Sequence, residues 1–283
     1  MDVQSIVELV LKKLEEKRFG SAPRNEISLK VNHEEKKTVG VDHPKNKESI
    51  IKAQSLTPAR IGIGRTGSRM KTKDYLDFRI DHAAAQDAVF MSVSGEFLKD
   101  MNLPILQSKA KNMEEYLMNL ETGRKLHEDS VDWLKKNGQK NRQVQIIVSD
   151  GLSSAGIEAN IIDLLPALIQ GLRGKNISVG EPIFIRRSRV WIQDEVAQIV
   201  DCDVVISIIG ERPGLATSKS LSAYLIYRPG KNTVEADRTV ISNIHQGGIP
   251  PVEAGAYLSE VISKVLKYKV SGVALSQVME SPI

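Results

Sequence analysis

Residues 204 to 215 read Val-Val-Ile-Ser-Ile-Ile-Gly-Glu-Arg-Pro-Gly-Leu, and this stretch decides the fold. Its first six residues are mostly β-branched and apolar, which is typical of a strand buried on both faces of a parallel sheet. A charged loop follows, bracketed by glycines and stiffened by a proline. Because ligands of open α/β sheets bind outside the carboxyl ends of the strands, we expect a ligand beside this loop, with Glu211 and Arg212 as its polar contacts. The alternative is a plain turn whose charges are solvated.

The chain around this strand alternates between the strand and the helix period. Further strands are predicted at 144–148, 182–186 and 221–227, and helices at 157–172, 190–200 and 252–267. This order predicts an α/β fold in which residues 141–283 form a Rossmann-like domain, a parallel sheet with helices on both faces.

The N-terminal part of the chain is organised differently. Residues 1–17 place their apolar side chains on one stripe, which predicts an amphipathic helix. Residues 18–55 are dominated by Lys, Glu, Asn and Ser, a composition that predicts a flexible polar linker. A helix tethered in this way could dock on another molecule, or it could pack on its own domain.

Residues 56–140 are predicted to be a helical segment. One helix should begin at Thr72, which can cap it, and a second should pass through residues 106–120 and end at Gly123. The core stripe of the first helix is predicted at Leu76, Ile80, Ala83 or Ala84, and Ala88.

Composition narrows the class of protein. The chain has 41% hydrophobic and 26% charged residues, a formal net charge of +4 and only 5% aromatic residues. This does not favour a nucleic-acid partner, which needs clustered basic and aromatic side chains. The single cysteine, Cys202, predicts an inert core thiol in a reducing compartment. We expect no membrane span and no secretory signal, and therefore a cytoplasmic protein.

A glycine-rich loop lies near the start of the helical segment. Gly62, Gly64 and Gly67 spell G-x-G-x-x-G, and Asp87 follows 20 residues after the last of them. No convincing strand precedes the glycines, so a nicotinamide-binding oxidoreductase survives only if residues 56–90 form a strand, a turn and a helix. The alternatives are a basic loop that lies against another surface or an anion, and a flexible basic loop.

Candidate catalytic groups are few. His82 could act as a base, although a helical His among alanines is more often packed and hydrogen-bonded. Residues 149–153, Ser-Asp-Gly-Leu-Ser, end a strand and either offer backbone N–H groups to a ligand or simply cap the next helix through Ser153. Since no nucleophile, base and oxyanion set can be assembled, the sequence indicates a protein that binds a large polar ligand.

Five stretches in one order resemble the light (small) chain of ethanolamine ammonia-lyase. They are residues 60–69 (Arg-Ile-Gly-Ile-Gly-Arg-Thr-Gly-Ser-Arg), 81–89 (Asp-His-Ala-Ala-Ala-Gln-Asp-Ala-Val), 149–153, 210–215 (Gly-Glu-Arg-Pro-Gly-Leu) and 241–244 (Ile-Ser-Asn-Ile). The resemblance runs from about residue 56 to the C-terminus and does not include the first 55 residues.

The resemblance implies an adenosylcobalamin-dependent carbon–nitrogen lyase that converts ethanolamine into acetaldehyde and ammonia. A heavy chain, a TIM barrel, would carry the substrate and the radical chemistry, and heavy–light pairs would assemble into a larger oligomer. The cobalamin-contacting positions of the family match Val190 and Glu211, whereas a family cysteine is replaced by Val240. Valine will serve at that position if the family contact is apolar or made by the backbone. The sequence also lacks the D-x-H-x-x-G motif, so we expect the cofactor's own base to stay on cobalt.

Two further hypotheses follow. The chain could be a non-catalytic assembly module, with no ligand of its own, whose basic loop and N-terminal helix dock partners. The amphipathic N-terminus could also contact the shell of a bacterial microcompartment and so place the enzyme inside it.

Overall fold

The computed structural model describes residues 38–280. Within this range the residues from Gly40 onward form one compact unit. The amphipathic helix expected at residues 1–17 lies outside the described residues, so it stays a prediction. Within the expected linker, Lys47–Leu56 forms helix α1, because Asn46 caps it by accepting the N–H of Ser49 at 2.9 Å.

The glycine-rich loop is a small hairpin. Strands β1 (Arg65–Thr66) and β2 (Arg69–Met70) pair antiparallel around Gly67, whose φ is +60°. Helix α1 and a loop precede the hairpin, so the strand, turn and helix that a dinucleotide site requires are missing here. The nicotinamide hypothesis is therefore wrong.

Helix α2, Thr72–Phe90, starts at the predicted residue. The predicted core stripe is wrong, because Leu76 is 53% and Ile80 49% exposed, and within this helix only Ala88 is buried. The spacing of apolar residues correctly predicts a helix, but no residue that the structure describes covers its apolar face.

The second predicted helix of this segment is also wrong. Helix α3 is Gly95–Met101, and residues Ile105–Gln107 then form strand β3, which pairs in parallel with a strand near residue 184. A shorter helix α4, Met113–Met118, follows after Asn112 caps it. A 3₁₀ turn at Thr122–Arg124 and helix α5, Glu128–Asn137, complete the segment.

The C-terminal part is the predicted α/β fold. Its strands are β4 (Val144–Ser149), β5 (Ile183–Arg186), β6 (Val204–Gly210), β7 (Leu221–Tyr227) and β8 (Thr239–Ile244). Its helices are α6 (Ser154–Gly174), α7 (Ile192–Val200), α8 (Pro251–Tyr268) and α9 (Gly272–Glu280). The six-stranded sheet has the order β3-β5-β4-β6-β7-β8. It is parallel from β3 to β6, and β7 and β8 run antiparallel, so the sheet is mostly parallel.

Helices cover both faces of this sheet. On one face the apolar sides of α6 and α8 pack on β4, β6 and β7, with Leu164, Leu168 and Leu258 fully buried. On the other face α5 and α7 pack on the same strands, with Leu134 and Val196 buried. By length and mean hydropathy (1.2) α6 would also reach across a membrane, but nine of its residues are buried in this core.

The strand order creates a switch point. The chain leaves β4 for β5 on one side and then returns past β4 to β6 on the other side. Such a reversal opens a crevice at the carboxyl ends of the two central strands, here β4 and β6. Residues 150–153 and 211–215 follow these two ends, so the fold brings them to the same edge.

Candidate functional site: the carboxyl edge of the sheet

The strand and loop that open the crevice are fixed by a close backbone approach. The carbonyl oxygen of Gly210 accepts the N–H of Leu152 at 3.0 Å. A Cβ atom on Gly210 would lie 2.2 Å from the carbonyl oxygen of Ser153 and 2.3 Å from that of Asp150. Only glycine fits between these backbone oxygens, which explains the glycine that ends β6.

Residues 149–153 end β4 and cap the next helix. Ser153 caps α6 by accepting the N–H of Gly156 at 2.9 Å. The backbone N–H groups of Gly151, Leu152 and Ser153 all have acceptors inside the chain. The capping interpretation is therefore confirmed, and ligand binding by this helix N-terminus stays a prediction.

Glu211 is half-buried at the start of the loop after β6. Its Oε1 atom accepts the hydroxyl of Ser222 on β7 and the backbone N–H of Asn243 on β8, the latter at 3.2 Å. Its Oε2 atom accepts no hydrogen bond from any residue that the structure describes. The loop is thus anchored, and one carboxylate oxygen is left for a ligand. Its neighbour Arg212 is exposed.

Val190 is half-buried in the turn between β5 and α7. Its carbonyl oxygen accepts the N–H of Gln193 at 3.2 Å, which fixes the turn. Because β4 lies between β5 and β6, Val190 and Glu211 follow the carboxyl ends of two strands that are separated by one strand.

The two remaining sequence candidates lie elsewhere. Val240 is on the edge strand β8, opposite Tyr224, and is 46% exposed. His82 is exposed on α2 and stacks on Phe78 with ring centroids 6.3 Å apart, so it is neither packed nor at the sheet edge.

Asp150 is buried beneath the crevice, with 3% of its surface exposed. Its Oδ1 atom accepts the backbone N–H of Arg187 at 2.6 Å and the hydroxyl of Ser149 at 3.3 Å. Burial raises the pKa of this carboxyl, although these donors and the charge of Arg187 lower it. Asp150 therefore holds the loop after β5 against the end of β4.

A buried tyrosine completes this loop. Burial raises the pKa of Tyr116 to about 12, so its hydroxyl stays protonated and donates to the carbonyl oxygen of Ser188 at 3.0 Å. Within the described range, no group of His, Cys, Asp and Glu side chains has an arrangement that could hold a metal ion.

Three serines that sequence reasoning missed line the same edge. Ser154 begins α6, Ser188 follows β5 and Ser220 precedes β7, with 2%, 0% and 8% of their surface exposed. None of the three hydroxyls has a hydrogen-bond partner among residues 38–280. A buried hydroxyl without a partner costs roughly 1–3 kcal/mol. Single serines in separate loops carry no sequence signal, so only the fold could reveal this set, which is suited to a ligand rich in polar groups.

The family model described as ethanolamine ammonia-lyase light chain (EutC) matches residues 47–276. The ethanolamine ammonia-lyase small subunit of Clostridium tetani is 48% identical over 235 residues, which are 83% of this chain and 80% of that protein. That of Listeria monocytogenes is 47% identical over 240 residues, 85% of this chain and 82% of that protein. That of Fusobacterium nucleatum is 49% identical over 227 residues, 80% and 77% of the two chains.

The match covers the hairpin, the whole sheet and every loop of the carboxyl edge. It begins at Lys47, the first residue of α1, so the predicted start near residue 56 is wrong. The chain therefore belongs to the ethanolamine ammonia-lyase light-chain family.

Proposed function

We propose that this chain, together with a heavy chain, forms the adenosylcobalamin site of an enzyme that deaminates ethanolamine to acetaldehyde and ammonia. The names of its relatives, ethanolamine ammonia-lyase small subunit, support both the substrate and the existence of a larger partner. When bound, adenosylcobalamin supplies the radical chemistry of the deamination. We assign the substrate site to the heavy chain and propose no catalytic residue in this one.

One observation carries the proposal, namely the set of buried, unpartnered polar atoms along the carboxyl edge. The hydroxyls of Ser154, Ser188 and Ser220 need partners, and a corrin ring is an apolar disc fringed with amides that can supply them. The free Oε2 atom of Glu211 is an acceptor for an amide N–H, and Val190 offers apolar contact. The residues present therefore fit the cofactor.

The role of this chain is then to bind and enclose. Val190 and Glu211 contact the cofactor from two loops that the sheet holds in place, and the serines satisfy its amides. A second chain that covers the same edge would exclude water from the radical chemistry.

The experiment uses the complex with the heavy chain. Adenosylcobalamin affinity is measured by equilibrium titration and acetaldehyde formation by a coupled assay. Glu211→Ala should weaken cofactor binding by about tenfold, because a charged acceptor is lost. Glu181→Ala, which removes an exposed carboxylate just before β5, at the opposite edge of the sheet, is the control and should have no effect. Unchanged affinity and turnover in Glu211→Ala would reject the assignment.

A second function, a docking module without a ligand of its own, is favoured by one observation. Helix α2 leaves Tyr75, Leu76 and Ile80 about half exposed, which indicates a surface that a partner covers. Co-purification with the heavy chain combined with unchanged cofactor affinity in variants of residues 210–215 would support this function over the first.

We further propose that the assembled heavy–light complex is oligomeric and resides in a bacterial microcompartment, addressed by residues 1–17. The apolar stripe of that segment supports the proposal. Deletion of residues 1–20 should release the enzyme from the compartment, as fractionation of cells would show. Unchanged localisation would count against it.

A further inference from the structure

Three arginines, which we call the arginine segment, follow one another at the end of β5: Arg186, Arg187 and Arg189. All three are half-buried, and none forms an ion pair with any residue that the structure describes. Charged side chains that are partly withdrawn from water are usually paired. The segment immediately precedes Val190, one of the two residues that we propose contact the cofactor.

Two of these guanidinium groups are held in place with donors to spare. Arg187 donates from Nη1 to the carbonyl oxygen of Lys111 at 3.3 Å. Arg189 donates from Nη2 to the carbonyl oxygen of Tyr116 at 2.6 Å and lies over the ring of Tyr116, 4.6 Å from its centre. The Nε atoms of both arginines are buried and have no acceptor among the described residues.

The surrounding backbone is built to seat these side chains. A Cβ atom on Gly123 would lie 2.9 Å from Cγ of Arg189, so glycine makes room for the arginine. Asp150 accepts the backbone N–H of Arg187 at 2.6 Å, and its pKa is raised by burial and lowered by the charge of Arg187, but it forms no ion pair with the guanidinium. Pre-positioned guanidiniums with open donors are typical of sites for phosphate or carboxylate groups.

The two sides of the carboxyl edge therefore differ in chemistry. The β6 side presents the free acceptor of Glu211, and the β5 side presents cationic donors. A corrin ring carries neutral amides, which satisfy an acceptor, whereas the nucleotide tail of cobalamin carries one phosphodiester, which is anionic at neutral pH.

We propose that Arg187 and Arg189 bind this phosphodiester and so orient the cofactor, with its nucleotide tail toward β5 and its ring amides toward Glu211. The proposal rests on the proposed function, since it requires that this edge binds cobalamin. An acidic surface of the heavy chain is the competing partner for the same arginines, and the test separates the two.

The test compares two ligands on the complex with the heavy chain. Adenosylcobalamin has the phosphodiester, and adenosylcobinamide lacks the whole nucleotide tail. Affinities are measured by equilibrium dialysis with absorbance detection. Arg187→Gln and Arg189→Gln should each weaken adenosylcobalamin binding by about tenfold or more, because a charge-assisted hydrogen bond is lost. Adenosylcobinamide binding should change by less than about threefold, since it makes no such bond.

Two further variants sharpen the result. Arg189→Lys keeps the charge but loses the planar fork, so it should give an intermediate loss for adenosylcobalamin alone. Lys136→Gln removes an exposed positive charge from the last turn of α5, at the opposite edge of the sheet, and should affect neither ligand. Circular dichroism spectra that match the wild type establish that each variant is folded.

Each other outcome overturns the inference in a recognisable way. Equal losses for both ligands would mean that the arginines do not contact the phosphodiester. Failure of the glutamine variants to co-purify with the heavy chain would assign the arginines to an acidic partner surface. If the wild-type complex binds neither ligand, the proposed function itself fails, and the inference fails with it.

Discussion

The backbone N–H of Asn243 donates to Oε1 of Glu211 at 3.2 Å, which ties the loop after β6 to the end of β8. Asn243 has a φ of 62°, in the left-handed region, so the edge strand turns at the point where it meets this carboxylate. The hydroxyl of Ser222 donates to the same oxygen. Glu211 therefore has two roles: Oε1 holds the loop against β7 and β8, and Oε2 is open to a ligand.

This double role predicts that two substitutions at Glu211 differ in stability. Glu211→Gln keeps Oε1 as an acceptor and should leave the free energy of unfolding nearly unchanged. Glu211→Ala removes the acceptor of two hydrogen bonds and should lower the free energy of unfolding by about 1–2 kcal/mol. Urea unfolding measures both, with the exposed neighbour Arg212→Ala as the control. Equal stability of the two variants would mean that the anchor does not contribute.

The sheet could be predicted from the sequence because its strands are buried on both faces. A run such as Val204–Gly210 must bury its apolar side chains and also hydrogen-bond its backbone. A central strand of a covered sheet does both. The helices around them carry apolar stripes that match the sheet. In contrast, β3 has three residues and pairs with β5, some 80 residues away, so the local sequence does not distinguish it from a helix.

The site was predictable only in part. A charged loop after the strongest strand indicated a ligand, and the family resemblance added Val190. The sequence does not reveal the serine hydroxyls and the arginine segment. Their significance is that they lack hydrogen-bond or ion-pair partners, and this depends on which groups the rest of the fold places beside them. The exposed stripe of α2 was misplaced for a related reason, since spacing shows that a face is apolar but not which molecule covers it.

A test of the crevice itself is the substitution Gly210→Ala. The added Cβ would meet two backbone oxygens at 2.2 and 2.3 Å, and backbone atoms cannot rotate away. We expect a loss of about 2 kcal/mol or more in the free energy of unfolding, as for other overpacked sites. Gly214→Ala is the matched control, because its nearest atom would be the carbonyl oxygen of Thr217 at 3.5 Å. Similar stability of both variants would contradict the close approach.

Cys202 should be unreactive in the folded protein. It is 6% exposed beside the start of β6, and burial raises the pKa of its thiol to about 12. At pH 8 roughly one such thiol in ten thousand is ionised, compared with about a quarter for a free cysteine. The rate of iodoacetamide labelling, followed by mass spectrometry, should be lower in the folded protein than in urea by a factor on the order of a thousand. Rapid labelling of the folded protein would contradict this burial.

Asp150 should make stability depend on pH. Because burial raises its pKa above 3.8, the folded protein binds the proton more tightly than the unfolded chain does. The stability that Asp150 contributes is therefore full below pH 3.8 and is lost as the pH rises through the folded pKa.

The variant Asp150→Asn keeps an acceptor for the N–H of Arg187 but does not titrate. Its free energy of unfolding should rise relative to the wild type from about pH 4 upward, by about 1.4 kcal/mol for each unit of pKa shift. Chemical unfolding at a series of pH values measures this difference. Asp163→Asn, on the exposed side of α6, controls for the loss of a charge. A difference that does not vary with pH would refute the assignment.

The exposed stripe of α2 should bind the heavy chain. Leu76 and Ile80 are half exposed, so Leu76→Ser with Ile80→Ser should hardly change the stability of the chain alone. If the heavy chain covers them, the lost burial is about 1–2 kcal/mol for each residue, and association should weaken at least about tenfold. Ile162→Ser, which removes a 60% exposed side chain from α6, is the control for surface polarity in general. Size-exclusion chromatography of mixed chains over a concentration series gives the dissociation constants. Equal constants for the double variant and the wild type would show that the heavy chain docks elsewhere.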